Sequence, residues 1–168
     1  NSPEVQQGMN DALTAKLNNP ATNNVEWAVG VVQTSTGFTA TDPATDNSTG
    51  SGTIPISQIV GTYVADGHNH PIGNNATPSG GDLYGMLNLM QNYPNLKYRF
   101  VYGKGFDFDG NPVIEVYVFI VTDSNAAQAF LTEFPMLENL NVTTQGFYED
   151  SKLGADYFTS RDLFGRGF

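Results

Sequence analysis

The 168-residue chain contains two histidines, and they stand two positions apart, His68 and His70. In an extended strand, positions i and i+2 point to one face, so both imidazoles can reach a single point. Twelve residues after His70 comes Asp82, the last residue of Ser79-Gly80-Gly81-Asp82. Two imidazoles and one carboxylate, with a fourth position left to water, form the ligand set of a catalytic zinc site rather than a closed structural one. Zinc in such a site brings the pKa of bound water down toward about 7 and so supplies hydroxide at neutral pH. Taken singly, each half has a plainer explanation. His-x-His occurs in surface turns, and Ser-x-x-Asp is a helix capping box. The two roles of Asp82 are compatible, because one carboxylate can cap a helix and ligate a metal. The joint pattern is what points to metal chemistry.

These residues need elements to position them. Pro3 opens a helix predicted over residues 4–17, where Val5, Met9, Ala12, Leu13 and Leu17 lie close to one stripe, and Asn18-Asn19-Pro20 stops it. Residues 25–33 (VEWAVGVVQ) are apolar and β-branched, the mark of a buried strand, and residues 38–41 form a short partner after Thr36-Gly37. Residues 42–53 (DPATDNSTGSGT) read as a polar loop with no packing face. A strand predicted over 59–65 runs into Asp66-Gly67-His68-Asn69-His70-Pro71, which puts the histidines at a strand end, where a site can open to solvent. Ser79 is the natural N-cap of a helix over 80–92, with Leu83, Met86, Leu87 and Met90 at helical spacing. Residues 97–103 and 112–122 are expected to pair as antiparallel strands around Asp109-Gly110. Asp123 or Ser124 then caps a helix through Phe134, and one short helix is expected near residues 149–158. The order of elements predicts an α+β fold: a single domain over 1–168 with a central mixed β-sheet flanked by helices.

Composition removes several function classes. Seven Lys and Arg against 17 Asp and Glu give a net charge of −10, and residues 17–96 contain no Lys or Arg at all. A basic face able to neutralise phosphates cannot be assembled, so no nucleic-acid partner is expected. The absence of cysteine removes disulfides, thiolate metal sites and cysteine nucleophiles together, and is compatible with either redox environment. No apolar run approaches the roughly 18 residues of a membrane span, so no membrane partner is expected. Asp107-Phe108-Asp109-Gly110-Asn111 looks superficially like a calcium loop but lacks the later Glu, and hairpin turn chemistry explains it. Gly50-Ser51-Gly52 is not a nucleophile elbow, and no third histidine exists to serve a serine triad. The Phe-rich residues 147–168 are read as packing, with an exposed, partner-binding aromatic tail as the alternative. The sequence carries no signal of oligomeric state.

The segment His68-Asn69-His70-Pro71 followed by Pro78-Ser79-Gly80-Gly81-Asp82 resembles the signature of the JAMM (MPN-plus) zinc metallopeptidase family. That signature is His-x-His-Pro, a loop, then Ser-x-x-Asp, with one Glu on an earlier strand. The wording is closest to the bacterial branches, which include RadC-like proteins and the JAB domains of secreted toxins and phage tails. The element order fits the family over residues 1–135, with 136–168 as a C-terminal extension, and implies an MPN/JAB-like, cytidine-deaminase-like layer arrangement. Two features depart from the family pattern. The gap from His70 to Asp82 is one residue longer than is common there, with the extra residue in 72–77, a cheap change in a loop. Gly30 stands four residues after Glu26, where the family often places a glycine three after its acid. Glu4 and Glu26 are the glutamates before His68, and Glu26, opening the first core strand, occupies the place of the family's Glu.

The resemblance implies a mechanism. His68, His70 and Asp82 hold Zn²⁺, Glu26 acts as general base toward a metal-activated water, and Ser79 stabilises the developing oxyanion. The substrate is a protein or peptide, cut at an amide bond by a peptidase or isopeptidase, free-standing or as a processing or toxin module of a larger bacterial protein. The alternative is a non-catalytic MPN-like scaffold that binds partners. Scaffolds of this kind usually lose the ligand set, which is intact here.

Overall fold

Pro3 opens the first helix, α1 (Pro3–Asn18), in the computed structural model of the chain, which describes residues 3–50, 52–73 and 77–155. Met9, Leu13 and Leu17 recur every fourth residue and are fully buried along one stripe of this helix. Each contributes roughly 1.5–3 kcal/mol by leaving water. The surface that receives them is a five-stranded sheet built from β1 (Ala28–Thr34), β2 (Gly37–Ala40), β3 (Thr62–Asn69), β4 (Tyr98–Phe106) and β5 (Pro112–Ile120). The strand order is β2-β1-β3-β4-β5, with β3 and β4 parallel and the other neighbours antiparallel. Parallel neighbours cannot be joined by a hairpin. The connection through residues 70–97 accordingly contains a helix, α2 (Gly80–Asn92). The fold is α+β with a mixed sheet, as expected.

The described residues fall into two compact units. One draws on residues 1–78 and 93–120 and holds α1 and the sheet. The other draws on 79–92 and 121–168 and holds α2 with the elements that follow β5.

In the first unit, alternation along β3 separates two chemistries. Gly67 faces α1, and a Cβ there would stand 2.8 Å from Met9 Sδ and 3.2 Å from Leu13 Cδ1, so only glycine permits this approach of helix to strand. The residues on either side of it, Asp66 and His68, therefore point to the opposite face. Asp66 is fully buried and lies opposite Arg99 of β4, whose Nε and Nη2 donate to its two carboxylate oxygens at 2.8 Å each. Tyr63 Oη donates to the same carboxylate at 2.7 Å. It reaches that face because β3 carries one extra residue: Val31 pairs with Ala65 but Val32 pairs with Tyr63, leaving Val64 as a bulge. Burial, reinforced by the neighbouring Asp66 charge, pushes the Tyr63 phenol far above its ordinary pKa, so it stays a donor.

Several boundaries differ from expectation, each for a physical reason. β1 begins at Ala28 rather than at 25, because the Trp27 N–H donates to the Asn69 side chain and the Glu26 N–H to the Ser48 carbonyl. Residues 25–27 are held, but not by a ladder. β3 runs through Asn69, four residues beyond the expected end, so His68 lies within the strand. β4 extends to Phe106, and the β4–β5 turn is tied by the Asp107 carboxylate, which accepts from the Asp109 and Asn111 N–H groups and from Asn111 Nδ2. The hydrogen bonds from Asn111 hold the Asp107 carboxyl below the usual carboxylate range. Residues 42–53 do have a packing role: Ala44 forms a two-way bridge with Ala28, and Ser48 accepts from Glu26.

In the second unit, Tyr84 of α2 is fully buried, with its ring against Phe130 and Phe147 and its hydroxyl donating to the Phe134 carbonyl at 2.7 Å. Asp123 caps α3 (Ser124–Glu133) by accepting from the Asn125 and Ala126 N–H groups. α4 (Met136–Asn139) and the two-residue strands β6 (Leu140–Asn141) and β7 (Gly146–Phe147) follow. Residues 152–155 are helical, which is the described part of the helix expected over 149–158. Residues 156–158, and with them most of the expected aromatic packing of the tail, lie outside the described residues. Among the described residues no helix is long and apolar enough to cross a membrane.

The buried pair yields a stability prediction. Arg99→Met strands the Asp66 carboxylate and should cost about 3–5 kcal/mol in urea unfolding. Tyr63→Phe removes one hydrogen bond to a charged group and should cost about 1.5–3 kcal/mol. Wild-type midpoints in both variants would show that the pair contributes nothing.

Candidate metal centre

The site is assembled from the ends of β1 and β3 upward. His68 lies opposite Ala28 of β1 and Val101 of β4. Beyond the strand's end the chain stays tied on both sides: the Asn69 N–H donates to the Trp27 carbonyl at 3.1 Å, and the His70 N–H to the Tyr102 carbonyl at 2.8 Å. Backbone held this way keeps the strand alternation through His70. The two imidazole centroids are 5.4 Å apart, with planes tilted by 46°. The residues are 5% and 8% exposed, so this is a buried pair rather than a surface turn.

Glu26 lies two residues ahead of Ala28, on the Ala28 side of the chain, and is 6% exposed. A Cβ built on Gly52 would stand 3.1 Å from His68 Cβ, 3.4 Å from Ala28 Cβ and 3.5 Å from Glu26 Oε2. The Glu26 carboxylate and the His68 side chain therefore border the same small space, and the backbone of Gly52 closes it. The bridge from Ala44 to Ala28 and the bond from the Glu26 N–H to the Ser48 carbonyl bring the loop there. The expectation that residues 42–53 have no packing face does not hold: Ala44, Ser48 and Gly52 pack against residues 26, 28 and 68. The signal available was Gly52, a residue without a side chain where the loop passes close to other atoms.

Asp82 sits in the first turn of α2, where the helix dipole favours a carboxylate. The Ser79 N–H donates to its Oδ2 at 2.6 Å and the Ser79 hydroxyl donates to the same oxygen at 2.8 Å. In return the Asp82 N–H donates to Ser79 Oγ at 3.1 Å. The reciprocal bonds are those of a capping box, with Asp in place of the usual Glu. They also fix the rotamer of Asp82, which is what a ligating carboxylate requires of its neighbours.

His68, His70 and Asp82 form a group that could hold a metal ion: each offers one ligand atom, and these atoms lie within 4.8 Å of one another. Among the described residues no other group of three His, Asp or Glu residues does so. Imidazole donors suit several first-row metals, zinc included. No protein-family model matches the chain, and no curated protein matches it significantly. What identifies the site is the geometry of these residues.

The loop contact can be tested through stability. Gly52→Val adds branched carbon against His68 and Ala28, whose strands cannot give way, and should cost about 1–3 kcal/mol in thermal or urea unfolding. Gly50→Val, where a Cβ meets nothing within 4 Å, should stay within about 0.5 kcal/mol of wild type. Equal stability of the two variants would detach the loop from His68 and Glu26.

Proposed function

We propose that the chain is a zinc-dependent peptidase or isopeptidase that hydrolyses an amide bond in a protein or peptide. The observation that carries the reading is the proximity of the His68, His70 and Asp82 ligand atoms, two imidazoles and one carboxylate. The resemblance of His68-x-His70-Pro71 and Ser79-x-x-Asp82 to the JAMM signature supports it. Bound zinc would supply Lewis acidity, drawing the pKa of water toward about 7 and polarising a carbonyl.

The chain's own residues do the rest. Glu26 takes the proton of the attacking water and passes it to the amine nitrogen as the carbon–nitrogen bond breaks. Its suitability rests on position: it is buried, beside His68, and kept out of the β1 ladder by the Asn69 and Ser48 contacts. Ser79 turns its hydroxyl from Asp82 Oδ2 toward the developing oxyanion, while its backbone N–H continues to hold Asp82.

Elemental analysis of chain purified without chelator or a His-tag should find about one zinc per chain. His70→Ala and Asp82→Ala should each abolish stoichiometric metal, and retained metal in both would overturn the ligand set. Glu26→Gln should keep the metal and lose about 10²–10⁴-fold in turnover of peptide or isopeptide substrates. A wild-type chain that neither carries nor takes up zinc would instead favour a partner-binding scaffold.

A further inference from the structure

The outer half of the sheet carries an apolar face unrelated to the metal centre. In the β4–β5 register, Tyr98 pairs with Ile120, Phe100 with Val118, Tyr102 with Val116, Lys104 with Ile114 and Phe106 with Pro112. All of these share one side, the side on which α1 packs against β1 and β3. In a chain with 17 acidic residues this face has none, and Lys104 is its one charged member. Tyr98, Val116, Val118 and Ile120 are exposed on it, Phe106 is 72% exposed, and Phe108 at the turn is fully exposed. At the opposite end the face opens into a cavity of about 340 Å³, lined by Tyr98 and Phe100 together with Val5, Met9, Phe38 and Val64.

A protruding aromatic tip and a mainly apolar cavity, which Gln6, Gln33, Thr62, Asn95 and Lys97 also line, thus lie at the two ends of one ribbon, roughly 27 Å apart at the rise of a β-strand. We infer that this face is a self-association surface, on which two copies of the chain pair about a two-fold axis with each hairpin tip seated at the other's cavity. Having both knob and hole on the same face singles out a second copy, since an unrelated partner needs only one of them. An antiparallel two-fold arrangement makes the contact self-complementary: the tip meets the cavity twice, and the Val116 and Val118 stripe crosses itself between them. The exposed apolar side chains amount to on the order of 700 Å², against the roughly 800 Å² per partner of a standard interface. A patch of this size is larger than a single-chain protein ordinarily leaves in water.

Sedimentation equilibrium of the full chain over about 1–100 μM tests this. The expected result is a mass rising to twice the 18.2 kDa of the single chain. Val118→Glu and Phe108→Asp, each placing a charge in the contact, should weaken association by at least about 10-fold. Thr39→Asp, on the opposite edge strand β2, should leave it unchanged. Phe108→Ala at the fully exposed turn keeps the test readable if Val118→Glu disturbs the sheet. A single-chain mass at every concentration, or association equally strong in all the β5 and hairpin variants, would overturn the inference. Neither outcome bears on metal content, which is measured separately.

Discussion

A carboxylate and a guanidinium removed from water can remain so only as a pair, and Asp66 and Arg99 impose that condition on the centre of the sheet. They lie opposite each other in the parallel β3–β4 register. A slip of one residue would turn Arg99 toward the apolar α1 face and leave the Asp66 charge alone, a penalty far larger than the cost of a misplaced apolar residue. The register that keeps them together also sets His68 against Val101 and brings the His70 N–H to the Tyr102 carbonyl. A buried ion pair adds little net stability compared with well-packed apolar groups. Its value here is in specification, because the histidine geometry follows from it.

The same strand shows how one element serves two faces. Gly67 lets α1 come down onto β3, and the helix buries Met9, Leu13 and Leu17 there. With that face closed by hydrocarbon, Asp66, His68 and Tyr63 are confined to the other. The bulge at Val64 is what recruits Tyr63, which strict alternation would have sent beneath α1. Polar chemistry and apolar packing are thereby kept apart within a strand of eight residues.

Elements whose signal is local were legible. The stripe of α1, the Ser79-capped α2, the Asp123 cap and the β4–β5 hairpin follow from periodicity and capping alone. The His68 and His70 pair with Asp82 was legible by spacing. The expected end of β3 at 65 failed because Asp66, Gly67 and His68 look like the start of a loop. They continue the strand because the sheet satisfies their backbone and Arg99 satisfies Asp66. That partner is 33 residues away and can be known only once the register is known. The start of β1 failed the other way: residues 25–27 look apolar enough for a strand, yet Asn69 and Ser48 take their hydrogen bonds. α4, β6 and β7 are too short for any period to declare itself. The docking of residues 42–53 depends on backbone groups, which carry no residue code.

Asn69 explains why a chemically useful carboxylate can stand at this strand end. Buried backbone groups must be paired, and an ordinary ladder would have paired residues 25–27 with the residues after His68. Asn69 instead accepts from the Trp27 N–H with its side-chain oxygen and donates from its side-chain nitrogen to the Val25 carbonyl. Only an amide has both a donor and an acceptor at that reach; aspartate would lose the donor and leucine both. With Trp27 and Val25 satisfied by a side chain, and Glu26 by the Ser48 carbonyl, the segment runs alongside His70 without joining the sheet. The backbone of residues 25–27 is thus fixed alongside the end of β3 by a side-chain amide and a loop carbonyl, and that placement is what sets Glu26 beside His68.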